Sequence, residues 1–183
     1  MKKLNINQES KINFLKNIAL IGHMGSGKSL LGKLIAKNSN LKHLDTDIII
    51  EKKTKSKINQ IFINQGESFF RKIEEEVILN IPIEDKLILS LGGGSILSKK
   101  VRSFLKKNFI TVFIDVKFSV LLERLENTKR RPLLKGVDIE KKLRELDIHR
   151  RKFYLLADII LKDYDNLNKT LEAFSKMYTE LTK

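Results

Sequence analysis

The chain has 183 residues, 42% of them hydrophobic and 32% charged, which suits one compact domain and excludes a wholly disordered chain. Lysine and arginine outnumber aspartate and glutamate 36 to 22, a formal net charge of +14 that favours anionic partners. The absence of cysteine excludes disulfides, thiolate zinc sites and cysteine nucleophiles. Three scattered histidines (His23, His43, His149) lack ligand spacing, and ten Phe, three Tyr and no Trp are thin for a platform that stacks nucleic-acid bases.

Residues 1–16 are polar, carry Lys2, Lys3, Lys11 and Lys16, and lack the apolar centre of a signal peptide. They are expected to be a short N-terminal extension on a cytoplasmic protein. No stretch approaches 18 uninterrupted apolar residues, so no membrane span is expected. From residue 17 onward, short apolar runs alternate with longer amphipathic ones. Strands are predicted at Asn17–Ile21, Lys42–Leu44, Lys86–Ser90, Phe109–Asp115 and Asp158–Leu161. Several are apolar at both parities, as strands covered on both faces are. Helices are predicted at Lys28–Asn38, Lys57–Ile63, Glu67–Leu79, Lys99–Lys106, Phe118–Leu125, Ile139–Tyr154 and Asn166–Leu181. The alternation implies a single α/β domain over 17–183, with a parallel sheet and right-handed crossovers.

The first strand runs into Gly22-His23-Met24-Gly25-Ser26-Gly27-Lys28-Ser29, which fits the P-loop pattern of Gly, four residues, Gly, Lys and Ser or Thr. The strand before it and the helix after it are the context this motif needs. Glycines let backbone N–H groups curl round phosphate oxygens, and the helix N-terminus adds partial positive charge. Lys28 would then reach the β- and γ-phosphates, and the Ser29 hydroxyl would ligate Mg²⁺. Whether the phosphate is transferred, hydrolysed or sensed is not decided by this motif.

Asp45-Thr46-Asp47 closes the second strand, where α/β ligands bind. One carboxylate could help hold Mg²⁺ and the other could take a proton from an acceptor hydroxyl. Equally, either could cap a helix. Arg71 and Glu74 are three apart on one helix, either as an ordinary exposed ion pair or as an arginine aimed at a carboxylate ligand. Gly92-Gly93-Gly94 follows the third strand, as a flexible turn or as backbone that a ligand approaches closely. Between 128 and 152 there are ten basic and four acidic residues. This segment, with Arg131-Pro132-Leu133-Leu134 and Gly136, reads as a mobile lid around 126–137, a solvated basic face, or a nucleic-acid patch.

From about Asn17 to Tyr154 the chain resembles the shikimate kinases, a branch of the P-loop small-molecule kinases. The motifs stand in that family's order: the P-loop, Asp45-x-Asp47, Phe70-Arg71-x-x-Glu74, Gly92–Gly94, Arg131-Pro132-Leu133-Leu134, and Arg150 four residues before Tyr154. The resemblance implies a single-domain P-loop kinase with a five-stranded parallel sheet, flanking helices and a mobile lid. It implies ATP-dependent phosphorylation of the 3-hydroxyl of shikimate in aromatic amino-acid biosynthesis, with Mg²⁺ as cofactor, by a monomer without nucleic-acid or membrane partners. The residues it implies for ATP are Gly25, Ser26, Gly27, Lys28, Ser29, Leu30, Arg124 beside adenine, and Arg131 from the lid. For metal it implies Ser29 and Asp45. For shikimate it implies Asp47, Arg71, Gly92, Gly93, Gly94 and Arg150, with Asp47, Lys28 and Arg131 catalytic. Two positions depart from the pattern of many members: Lys152 stands where they have Pro, and Leu30 where they have Thr. No basic residue around 163–168 matches the family's late adenine-side one. A gluconate kinase-like enzyme and a P-loop nucleic-acid-binding protein are the alternatives. A GTPase is disfavoured because no Asn-Lys-x-Asp motif is present.

Overall fold

The computed structural model describes residues 16–83, 86–126, 138–162 and 166–182. Its sheet has five strands: β1 Asn17–Ile21, β2 Lys42–Asp45, β3 Leu87–Ser90, β4 Phe109–Asp115 and β5 Ile159–Lys162. They are all parallel, in the order β2-β3-β1-β4-β5. Among the described residues the helices are α1 Lys28–Lys37, α2 Thr46–Thr54, α3 Ile58–Leu79, α4 Lys99–Asn108, α5 Phe118–Glu126, α6 Ile139–Tyr154 and α7 Leu167–Leu181, with a 3₁₀ turn at Ser95–Leu97.

The central strand shows why the sheet is buried on both sides. Ile18 and Leu20 pack with Leu31, Ile35, Phe174 and Tyr178 of α1 and α7. Ala19 and Ile21 point to the opposite face and join Ile78, Val101, Leu105 and Tyr154 of α3, α4 and α6. The period of two along a strand sends alternate side chains to opposite layers. Because both layers are helical, both parities must be apolar. A smaller cluster of Met24, Leu121, Leu125, Leu143 and Leu146 seats the P-loop on α5 and α6. Another, of Ile50, Ile61, Phe70 and Val77, joins α2 to α3.

Three local features differ from the sequence expectation. Residues 46–54 form α2, although Ile48-Ile49-Ile50 is a β-branched run that disfavours helix. Its cap explains its start: the Asp45 side chain accepts from Asp47 N–H at 3.0 Å. The two helices expected on either side of Gly66 are present, but the gap between them shrinks to Gly66 itself, whose non-helical φ 80° and ψ 172° kink α3. The 3₁₀ turn has no periodicity to announce it. The lid around 126–137, Arg131 included, lies outside the described residues except for Glu126, and so does the N-terminal extension except for Lys16.

Candidate active site

The C-terminal ends of β1, β2 and β3 present the P-loop, Asp45 and Gly92–Gly94 side by side, which the register of β1 with β3 and of β3 with β2 enforces. The P-loop turns through positive φ at Gly22, Gly25 and Gly27. Gly25, at φ 79°, holds a left-handed conformation that residues with a Cβ rarely adopt. Lys28 is buried, and its ammonium donates to the carbonyls of Gly22 at 2.9 Å and His23 at 2.7 Å, inside the loop it is meant to serve. Ser29 Oγ donates to Asp45 Oδ2 at 2.5 Å. Asp45 is therefore both the cap of α2 and the partner of the P-loop hydroxyl.

Hydroxyl and carboxylate oxygens suit Mg²⁺, which commonly takes one or two protein oxygens and fills the rest of its octahedron with water and phosphate. Among the described residues no cluster of three or more His, Cys, Asp or Glu is placed to cage a metal. Ser29 and Asp45 fit a Mg²⁺ that completes its shell with phosphate and water.

Beside the loop, Gly25, Ser26, Gly27, Leu30, Asp115 and Arg124 line a cleft of about 430 Å³. That size falls within the usual range for small-molecule sites, about 300–1,000 Å³. Arg124 donates to the Gly25 carbonyl at 3.0 Å. Leu30 is largely exposed.

The second cleft gathers Asp47, Arg71, Gly92, Gly93, Gly94 and Arg150, all six residues expected at the acceptor site. Met24, Ile58, Phe62 and Phe70 add an apolar wall; the sequence placed Met24 and Phe70 in motifs but assigned none of the four to the acceptor. Arg71 and Glu74 are not an exposed pair. Glu74 is 1% exposed, and it accepts from Arg71 Nη1 at 2.6 Å and from Ser95 Oγ at 2.7 Å. Burial opposes the Arg71 charge, but Glu74 and Glu67 outweigh it and raise its pKa. Nor is the glycine triplet a flexible turn. A side chain at Gly94 would collide with the Arg71 guanidinium, and one at Gly92 with the Glu74 carboxylate. The backbone must pass this close for the charged groups to stand where they do.

Arg150 is the most unusual group. It is 2% exposed, and its Nε has no hydrogen-bond partner. Burial lowers its pKa first and the nearby Arg71 lowers it further, against the raising effect of the adjacent Tyr154 hydroxyl. Next to it, burial pushes the Tyr154 hydroxyl up to about 12, so it stays protonated and donates to the Gly93 carbonyl. Two guanidiniums thus face one cleft, and one of them is buried without a carboxylate partner among the described residues. Two cations on one cleft can take an anionic ligand.

A family model for shikimate kinase matches residues 24–182. The chain belongs to the shikimate kinase family. The shikimate kinase of Rippkaea orientalis is 41% identical over 157 residues, covering 86% of this chain and 82% of that protein. The shikimate kinase of Sulfurihydrogenibium is 43% identical over 145 residues, covering 79% and 86%. In structure the chain resembles the shikimate kinase of Acinetobacter baumannii solved in complex with shikimate, with a TM-score of 0.86 and 32% identity over 92% of this chain and 96% of that one. The family match sets aside the gluconate-type and nucleic-acid-binding alternatives.

Proposed function

We propose that the two clefts divide the work of one reaction: ATP-dependent phosphorylation of the 3-hydroxyl of shikimate, giving shikimate 3-phosphate and ADP. The observation that supports the acceptor most directly is the cleft that sets Arg71 and Arg150 beside Asp47 and the Gly92–Gly94 backbone. Shikimate is a carboxylate carrying several hydroxyls. Arg71 and Arg150 bind the carboxylate through charge-assisted hydrogen bonds. Glu74 holds Arg71 in its pose. Gly92–Gly94 let the ring lie against backbone, and Phe62 and Phe70 cover its apolar edge.

On the donor side, P-loop N–H groups and Lys28 bind the β- and γ-phosphates, and Arg124 lies beside the base. Ser29 and Asp45 would hold Mg²⁺, which would supply positive charge to the phosphate oxygens. Asp47 accepts a hydrogen bond from the 3-hydroxyl and takes its proton as the new O–P bond forms and the bond from the γ-phosphorus to the ADP oxygen breaks. There is little covalent work here for the protein, so catalysis is positioning and charge stabilisation. Exclusion of water from the acceptor cleft protects ATP from hydrolysis.

Among the described residues no helix is long and apolar enough to cross a membrane. The enzyme is taken to act in the cytoplasm as a monomer, with ATP and shikimate as its partners. Incubation with ATP, Mg²⁺ and shikimate, followed by phosphorus NMR of the product, tests the reading. A single new phosphate ester at the 3-position is expected. Ester at another hydroxyl, or inorganic phosphate alone, contradicts the assignment.

A further inference from the structure

One P-loop residue has no task in the roles above. His23 is 4% exposed, and its Nε2 lies 2.8 Å from Asp147 Oδ1. Its ring meets Tyr154 edge-on, with centroids 5.0 Å apart. Its Nδ1 is buried with no hydrogen-bond partner. Burial lowers the His23 pKa, Asp147 opposes this, and the charges of Arg150 and Lys28 add to the lowering. A doubly protonated ring would bury an N–H without an acceptor beside two cations. The ring is therefore neutral, with Nε2–H donating to Asp147 and Nδ1 unprotonated.

The two partners stand on different parts of the machine. His23 lies in the loop around Lys28, whose ammonium donates to the His23 carbonyl at 2.7 Å. Asp147 lies on α6, three residues before Arg150 and seven before Tyr154. The same helix is anchored to the acceptor glycines by the Tyr154–Gly93 hydrogen bond. It is anchored to the end of β4 by Arg151, which forks onto Asp115 at 3.1 and 3.0 Å. Arg151 also approaches Asp147 at 3.6 Å. The His23–Asp147 bond, between residues 124 apart in sequence, is where this braced helix is tied by a polar side chain to the phosphate loop.

We propose that His23 is a positioning residue for phosphoryl transfer: through Asp147 it fixes the spacing between the P-loop and α6, and so between the donor phosphates and an acceptor held by Arg150. The inference rests on the functional assignment above. In-line transfer needs the reacting atoms about 3–3.5 Å apart and aligned, and a misplacement of about 1 Å can cost about a hundredfold in rate. A slack tie between loop and helix would leave each substrate able to bind and would spoil their mutual approach.

The test compares His23→Leu, His23→Gln, Asp147→Ala and the His23→Leu/Asp147→Ala double variant, each with a thermal melt. The Gln amide nitrogen can replace Nε2 as donor to Asp147; Leu cannot. His23→Leu is expected to lower kcat by about tenfold to a hundredfold while KM for ATP and for shikimate each change by less than about threefold. His23→Gln is expected to regain most of that kcat, and the double variant to be no slower than His23→Leu. If His23→Leu fails to fold, Asp147→Ala, at a half-buried position, must reproduce the kcat loss. Multiplied losses in the double variant, His23→Gln as slow as His23→Leu, or a loss confined to KM for ATP would overturn the proposal. Wild-type turnover by a folded His23→Leu enzyme would overturn this link alone. A wild-type enzyme inert toward shikimate would instead overturn the functional assignment beneath it.

Discussion

Replacing Arg150 by Met removes a guanidinium that is 2% exposed and has no carboxylate within 4.0 Å among the described residues. Its companion Arg71 is held by Glu67 at 3.0 Å and by buried Glu74 at 2.6 Å. The two substitutions should therefore do the same thing to binding and opposite things to stability. Each removes a charge-assisted hydrogen bond to the shikimate carboxylate, worth about 1.5–3 kcal/mol. That corresponds to a rise in shikimate KM of about tenfold to 150-fold, with KM for ATP nearly unchanged. For the fold, Arg150→Met relieves a desolvated charge and strands no carboxylate; its neighbour Tyr154 keeps its hydrogen bond to the Gly93 carbonyl, so the variant should melt at or above the wild-type temperature. Arg71→Met leaves Glu74 buried without its counter-charge, a loss of about 3–5 kcal/mol. At about 2–4 °C per kcal/mol for a chain of this size, its melting temperature should fall by about 6–20 °C. Steady-state kinetics and thermal melts on the same preparations measure both effects. An Arg150→Met enzyme that melts far below wild type while keeping its shikimate KM would refute the reasoning, because Arg150 would then be a structural residue.

The two carboxylates after β2 are separable by the same approach. Asp45 is the cap of α2, so Asp47→Asn should cost under about 1 kcal/mol, the share of a first-turn charge in the helix dipole. Its kcat should nevertheless fall by about 10²–10⁴, the usual loss on removing a general base. A stable Asp47→Asn enzyme with half of normal kcat would remove Asp47 from proton transfer. Asp45→Ala should cost about 1 kcal/mol in a melt and raise the Mg²⁺ concentration needed for half-maximal rate; an unchanged Mg²⁺ requirement would free Asp45 from the metal. Lys28→Met should abolish turnover in a folded protein, and normal turnover would sink the P-loop assignment.

The parallel sheet could be read from the sequence because strands buried on both faces must be apolar at both parities, as Ile18–Ile21 and Phe109–Ile114 are. The phosphate loop was legible because its chemistry is local: strand, glycines, Lys28 and Ser29 are contiguous. Helix α2 was not. Its Ile48–Ile50 run argues against helix, and the cap that starts it uses a residue with a second reading. The burial of Glu74 was also hidden. Its spacing from Arg71 fits any surface pair, and it is buried because the Gly92–Ser95 turn passes over it, Ser95 lying 21 residues further along the chain. Arg150 sits in a basic run that looks solvated, and only the packing of α6 on β4 and the glycine turn takes it inside. The His23–Asp147 bond links distant segments and leaves no local trace.

The central claim is that the Arg71–Arg150–Asp47 cleft selects a hydroxylated carboxylate as phosphoryl acceptor and that shikimate is that acceptor. Release of ADP, followed with shikimate, with gluconate and with no added acceptor, tests it most directly. Turnover should depend on shikimate, with gluconate and water slower by about a hundredfold or more, since a site built to hydrogen-bond one substrate leaves its polar groups unpaired with another. Equal ADP release with gluconate, or without any acceptor, would contradict it.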